Sequence, residues 1–90
     1  MLGSGQGEMV MNVAICDDNI NYSKIAETYI REVVGPKRSV SIDIFLSGQK
    51  LLESTIEKNY DIVFLDIEMP GIKGIEVAQK LREKDKSVII

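Results

Sequence analysis

The sequence predicts an α/β domain built on a doubly wound parallel sheet. Short apolar runs that suit β-strands alternate along the chain with longer stretches whose apolar residues recur at helical spacing. Ninety residues, of which 44% are apolar and 28% charged, are enough for one small domain. Such alternation is typical of a parallel sheet with right-handed crossovers and helices on both faces.

The first half of the chain predicts a strand, a helix and an edge strand. Residues 12–16 form an apolar run, and polar residues 17–19 end it where a helix can begin. Gly35 and Pro36 end that helix. Residues 40–46 alternate with a period of two, and their second face is only half polar, which indicates an edge strand. The predicted inward face of the helix consists of Ile25, Ala26, Tyr29, Ile30 and Val33.

The second half predicts a central strand between two helices. Residues 62–65 are continuously apolar, as expected for a parallel strand that helices cover on both faces. A short helix precedes this strand and ends near Asn59, a third helix runs from Gly74 to residues 84–86, and residues 88–90 begin a fourth strand. The predicted inward residues are Leu51, Leu52 and Ile56 in the short helix, and Ile75, Ala78 and Leu81, with Val77 beside them, in the third.

Acidic residues follow two of these strands directly. Asp17 and Asp18 come after the first strand, and Asp66 comes after the third. In a flavodoxin-like sheet with strand order 2-1-3-4, these two strands are neighbours and ligands bind at their carboxyl ends. Closely packed carboxylates repel one another, and a hard divalent cation such as Mg²⁺ relieves that repulsion. The sequence therefore predicts a magnesium site, to which Glu68 could add its side chain or, as we favour, its backbone carbonyl.

Each acid also has an ordinary structural explanation. Asp17 and Asp18 stand where Asp and Asn commonly cap a helix, and Asp66 could be a solvated loop residue. Pro70 and Gly71 are common turn residues and shape a loop without supplying chemistry. The joint pattern of two strands that both end in acid favours a shared site over these separate explanations.

Composition excludes several other chemistries. The chain has no histidine, so it cannot form a Ser-His-Asp triad, a histidine zinc site or a phosphohistidine. Cys16 is the only cysteine, and its place in an apolar strand favours a core side chain over a reactive thiol. A net charge of −3 without a basic run argues against direct nucleic acid contact from this segment. No stretch is long enough for a membrane span, so we expect a cytoplasmic domain.

The motifs resemble the receiver domains of bacterial two-component response regulators. Residues 14–19, Ala-Ile-Cys-Asp-Asp-Asn, are similar to the acidic pair after the family's first strand. Residues 60–71, Tyr-Asp-Ile-Val-Phe-Leu-Asp-Ile-Glu-Met-Pro-Gly, together with Gly74, are similar to its phosphoacceptor loop. Residues 45–48, Phe-Leu-Ser-Gly, with residues 51–52, Leu-Leu, resemble the branch that carries LytTR-type DNA-binding domains. The resemblance spans residues 11–90.

This resemblance implies a function and a role for each acid. Asp66 would accept a phosphoryl group from a partner histidine kinase and thereby control an output domain outside this chain. Asp18 would bind Mg²⁺ directly, Asp17 through water or indirectly, and Glu68 through its carbonyl. The chain would then be a phosphoacceptor signalling domain in transcription regulation and not an enzyme.

The sequence departs from the family pattern at its end. Receivers normally continue through a fourth helix, a fifth strand and a fifth helix, with a Ser or Thr and a Lys that contact the phosphoryl oxygens. We therefore expect residues 9–90 to be the N-terminal portion of a receiver, preceded by a leader or cloning scar at residues 1–8. Residues 88–90 would form an exposed edge that favours a homodimer or edge-strand pairing.

Two alternative functions stay open. The first is a truncated or degenerate receiver that acts as an interaction module. The second is a haloacid-dehalogenase-like phosphatase, although that class carries a second Asp two residues after its nucleophile, where this chain has Glu68.

Overall fold

The computed structural model describes residues 10–69 and 74–90 of the chain. Three strands and three helices alternate within these residues, as the sequence predicts. The expected leader at residues 1–8 and the turn residues Pro70 and Gly71 lie outside the described residues. In chain order the elements are β1 (Met11–Cys16), α1 (Ile20–Val33), β2 (Val40–Phe45), α2 (Gly48–Ser54), β3 (Ile62–Leu65) and α3 (Gly74–Lys84).

The strands form one parallel sheet with the order β2-β1-β3, which confirms the predicted fold class. β1 pairs with β2 along its whole length, and Cys16 at its end lies opposite Leu65 of β3. The predicted fourth strand is present among the described residues as a single parallel bridge between Ile62 and Ile89, on the other side of β3. Among the described residues, β2 is an edge strand of this sheet, as the sequence predicts.

Helices cover the sheet on two sides, which gives the expected three layers. Alternate residues of β1 point to opposite faces. Val13 and Ile15 pack with Ile30 of α1, whereas Ala14 and Cys16 pack in a second core cluster on the side of α2 and α3. The second cluster also contains Leu51, Tyr60, Val63, Met69, Val77, Leu81 and Val88.

The predicted inward face of α1 is wrong for part of its length. Ile30 is buried and Ala26 is partly buried, but Ile25 is 66%, Tyr29 67% and Val33 50% exposed. Ser23 is buried instead, and its hydroxyl donates to the carbonyl of Asn19 at 3.2 Å. Because this bond satisfies the hydroxyl, Ser23 can face the sheet at little cost.

The other two helices also differ in detail from the prediction. α2 ends at Ser54 and not near Asn59, so Ile56 lies in the following turn and is exposed. In α3, Val77 and Leu81 are buried, whereas Ile75 is exposed. Within the described residues, no helix combines the length and apolarity that crossing a membrane would require.

At the centre of β3, one face of the strand is buried and the other is exposed. Val63 is buried in the cluster beside α2 and α3, but Phe64 on the opposite face is 47% exposed. The prediction that helices cover both faces of this strand is therefore wrong for Phe64 within the described residues. The reason is that α1 packs over β1 and β2.

Candidate functional site

The hydrogen-bond ladder of the sheet continues one residue beyond β1 and β3. The N–H of Asp17 donates to the carbonyl of Phe45 at 3.1 Å, and the N–H of Asp66 donates to the carbonyl of Cys16 at 2.9 Å. Both acids therefore leave the sheet from backbone that the ladder holds in place. This is the edge at which ligands bind in doubly wound folds.

Three carboxylates meet at this edge. Oxygen atoms of Asp17, Asp18 and Asp66 all lie within 4.8 Å of one another. Two oxygens that bind one Mg²⁺ from opposite sides are about 4.2 Å apart, twice the typical ligand distance. The group is therefore compact enough for one small cation, bound directly or with a bridging water. The all-oxygen donor set also suits magnesium.

The chain holds Asp17 and Asp66 by the same local device. The Oδ1 atom of Asp17 accepts from the N–H of Asn19 at 2.9 Å, and the Oδ1 atom of Asp66 accepts from the N–H of Glu68, also at 2.9 Å. Each bond closes a short turn of the kind that Asp favours. One oxygen of each carboxylate is thus fixed by its own loop, and the second oxygen can serve a ligand.

Asn19, and neither Asp17 nor Asp18, is the N-cap of α1. Its side-chain oxygen accepts from the N–H groups of Asn21 and Tyr22. The capping explanation therefore does not account for the two acids. Asp18 is exposed, and Asp17 is partly buried beside the sheet.

Glu68 does not bring its side chain into the group. It is exposed, and the cluster of neighbouring acidic oxygens among the described residues contains Asp17, Asp18 and Asp66 without it. Its N–H supports Asp66 instead. A role of its backbone carbonyl in binding a cation stays a prediction.

The floor below the acids is apolar. Cys16 and Met69 are both buried, and the Cys16 Sγ atom lies 3.7 Å from the Met69 Sδ atom. Burial, together with the negative charges of Asp17 and Asp66, raises the pKa of the Cys16 thiol to about 11. The thiol is therefore protonated at neutral pH and serves as a core side chain, as the sequence predicts.

Gly74 has a positional role that the sequence did not predict. A Cβ atom at this position would lie 2.3 Å from the Cα atom of Ile67 and 2.6 Å from the carbonyl oxygen of Asp66. Only glycine allows the start of α3 to approach the backbone that follows Asp66 so closely. The sequence signal was a glycine at a helix start, which does not by itself indicate such a contact.

Comparison with known proteins defines the family. The response regulator receiver domain model matches residues 13–90 of this chain. The chain therefore belongs to the response regulator receiver domain family. It spans 14% to 34% of the length of the first curated relatives that it matches, so it corresponds to one part of those proteins.

The curated relatives include transcriptional and sensory regulators. The chain is 31% identical over 78 residues to the transcriptional regulatory protein ResD of Bacillus subtilis, a match that covers 87% of the chain and 30% of ResD. It is 52% identical over 46 residues to the sensory transduction protein LytT of Oceanobacillus iheyensis, which covers 49% of the chain and 19% of LytT.

The fold is similar to that of the response regulator protein TrrA from Thermotoga maritima, solved in complex with Mg²⁺-BeF. The TM-score is 0.74 at 36% identity, over 84% of this chain and 62% of that one. A response regulator protein TrrA in complex with the histidine kinase ThkA also matches, with a TM-score of 0.70 at 32% identity, over 87% and 63% of the two chains.

Proposed function

We propose that Asp66 accepts a phosphoryl group from a partner histidine kinase and that Mg²⁺ is held beside it. The observation that carries this proposal is the meeting of Asp17, Asp18 and Asp66 within 4.8 Å at the carboxyl edge of the sheet. The similar protein TrrA has been solved both with Mg²⁺-BeF and with a histidine kinase, which supports the same ligand and partner here.

The proposed reaction is a simple displacement at phosphorus. An oxygen of the Asp66 carboxylate attacks the phosphorus atom of a phosphohistidine on the kinase. The new O–P bond forms as the N–P bond breaks, and the imidazole leaves with the electron pair of that bond. Because the product is the modified chain itself, the domain acts as a phosphoacceptor and not as an enzyme with turnover.

The residues present fit a magnesium ion. Asp18 and Asp66 would bind it directly, Asp17 through water, and Glu68 through its backbone carbonyl. Bound Mg²⁺ would neutralise negative charge on the carboxylates and on the phosphoryl oxygens. The bond from the Glu68 N–H keeps the Asp66 carboxylate oriented, so this loop positions the nucleophile without itself reacting.

We further propose that the chain is the receiver portion of a transcription regulator of the LytTR branch. The similarity to LytT over 46 residues supports this branch. The chain is also similar to ResD, a transcriptional regulatory protein with a different name. In this proposal residues 9–90 belong to the receiver, and any DNA contact is made by an output domain outside this chain.

Phosphorylation of this chain tests the proposal. The wild type, Asp66→Asn and the matched control Asp85→Asn are incubated with Mg²⁺ and a small acyl-phosphate donor. Peptide mass mapping then locates the modification. We expect modification of the wild type and of Asp85→Asn, and none of Asp66→Asn. Equal modification of all three proteins, or modification of a different residue in the wild type, would contradict the assignment.

A further inference from the structure

Within the described residues, one edge of β2 pairs with no other strand, and its backbone groups are regularly spaced. The N–H of Met11 donates to the carbonyl of Ser39, and the N–H of Asp17 donates to that of Phe45, so these β2-side carbonyls face β1. Backbone direction alternates along a strand. The N–H and carbonyl groups of Val40, Ile42 and Ile44 therefore point away from β1, toward the open side of the sheet.

A groove of about 790 Å³ runs along this edge. α1 forms one wall of the groove, and α2 with the turn that follows it forms the other. Ile42 and Ile44 lie on its floor. The charged residues that line the walls are Lys24 and Glu27 from α1, and Lys50, Glu53, Glu57 and Lys58 from the side of α2.

The two walls of the groove differ in which of their charged residues form ion pairs. On α1, Glu27 pairs with Lys24 at 3.6 Å and with Arg31 at 3.3 Å. On the other wall, Lys58 pairs with Asp43 of β2 at 2.8 Å. Within the described part of the chain, Lys50, Glu53 and Glu57 form no ion pair with one another or with a neighbour. α2 follows β2 and runs back along it, so Lys50 lies toward the carboxyl end of β2 and Glu57 toward its amino end.

We propose that a second copy of this chain pairs with β2 along this edge, antiparallel, about a two-fold axis near Ile42. The axis reverses the order of residues along the edge. Lys50 of each copy then faces Glu57 of the other copy, which makes two complementary contacts at the α2 wall. Val40, Ile42 and Ile44 of the two strands exchange about six backbone hydrogen bonds.

The helices leave room for this arrangement. α1 and α2 each contact both β1 and β2, so each helix lies over the line between these strands. Neighbouring strands are about 4.8 Å apart. The equivalent helices of two copies would therefore lie about 10 Å apart, which is the upper end of the range for packed helices. The continued sheet thus brings the two α2 helices into contact along their charged sides.

Charge reversal tests the proposal. Sedimentation equilibrium measures the dimer dissociation constant of the wild type, Lys50→Glu, Glu57→Lys and the double variant that carries both changes. Lys80→Glu, on the exposed side of α3, is the matched control. Each single change places two pairs of like charges at the interface, and we expect a dimer about tenfold weaker. The double variant restores both contacts and should regain wild-type affinity, as should the control.

Amide hydrogen exchange provides a second measurement on the unmodified chain. Protection of the Val40, Ile42 and Ile44 amides should rise with protein concentration in the wild type. A wild type that stays monomeric at high concentration would overturn the proposal. An extended segment of another protein would then be the alternative partner for the β2 edge. A dimer that none of the charge changes affects would also overturn it, because a different surface would then be in use. Asp66→Asn should dimerise as the wild type does, so this result is independent of the phosphoacceptor assignment.

Discussion

The backbone N–H of Asp66 donates to the carbonyl of Cys16 at 2.9 Å, which aligns the end of β3 with the end of β1. Asp17 follows Cys16 directly, so Asp17 and Asp66 leave the sheet side by side. Their proximity therefore comes from the register of two paired strands and not from the conformation of a long loop. Such a scaffold suits a reaction that depends on the position of one carboxylate.

Asp18→Ala should remove the magnesium response of the chain. In the wild type, Mg²⁺ relieves repulsion among three carboxylates and should raise the melting temperature through binding to the folded state. Loss of one direct ligand should weaken the affinity for Mg²⁺ at least about tenfold, while Asp66 stays in place. Thermal unfolding across a magnesium titration measures both effects, with the exposed Glu83→Ala as control. An unchanged magnesium response in Asp18→Ala would contradict the proposed site.

Gly74→Ala should damage both stability and the site. The new Cβ atom would collide with the backbone of Ile67 and with the carbonyl of Asp66, and neither can move without shifting the loop. We expect a loss of about 1–3 kcal/mol or more in the free energy of unfolding, together with weaker Mg²⁺ binding by the folded fraction.

A second glycine, far from the acids, provides a control that separates the loss of stability from the loss of Mg²⁺ binding. A Cβ atom at Gly35 would lie 2.4 Å from the carbonyl oxygen of Arg31, at the far end of α1. Gly35→Ala should therefore lose stability without losing magnesium affinity. Equal changes in magnesium affinity for both variants would show that the effect of Gly74→Ala comes from general destabilisation. Urea unfolding with and without Mg²⁺ measures both quantities.

Asp43→Asn should make the chain less sensitive to acid. The hydrogen bond from Lys58 is the largest cause that lowers the pKa of Asp43 below 3.8, and a bond from Tyr60 acts in the same direction. A lowered pKa stabilises the fold above the unfolded-state value, and this contribution is lost as pH falls through the lowered value.

The advantage of wild type over Asp43→Asn should therefore be constant near neutral pH and shrink below about pH 4. The carboxylate is 37% exposed, so the electrostatic part should be below about 1 kcal/mol. Urea unfolding over a pH series measures this difference. A difference that stays constant down to the most acidic conditions would contradict the role of the Asp43 charge.

Cys16 should react slowly with alkylating agents in the folded chain. Burial and two nearby carboxylates raise its pKa to about 11, and the thiolate is the reactive form. Since the pKa is raised from 9.0, the stabilising effect of the neutral thiol is complete below that value and is lost as pH rises toward about 11. Iodoacetamide labelling in the presence and absence of urea checks this. Equal rates in the two conditions would contradict the buried thiol.

The sequence predicted the order of elements and the position of the acids well, because both follow from local patterns. Apolar runs define the strands, and the residue after each run must emerge at the carboxyl edge of the sheet. Once β1 and β3 are taken as neighbours, the position of Asp17, Asp18 and Asp66 at one edge follows without further information. The support that Gly74 gives to the loop depends on a close approach between two segments, which no local pattern reveals.

The helix faces were harder to predict. α1 carries two apolar stripes, one through Ala26 and Ile30 and one through Ile25 and Tyr29, and helical spacing alone does not say which one meets the sheet. In the structure the stripe through Ala26 and Ile30 packs in the core cluster beside β1 and β2. Ser23 can be buried on this helix because its hydroxyl donates to the carbonyl of Asn19. Exposure of Phe64 likewise depends on which strands α1 covers, which is a tertiary property.

Binding of beryllofluoride tests the central claim most directly, because this anion mimics a phosphoryl group on a carboxylate beside a divalent cation. Fluorine NMR of the chain with beryllium, fluoride and Mg²⁺ should show a bound resonance in the wild type. That resonance should disappear when Mg²⁺ is withheld and should be absent in Asp66→Asn. A bound resonance that persists in Asp66→Asn, or one that does not depend on Mg²⁺, would contradict Asp66 as the phosphoacceptor beside a magnesium site.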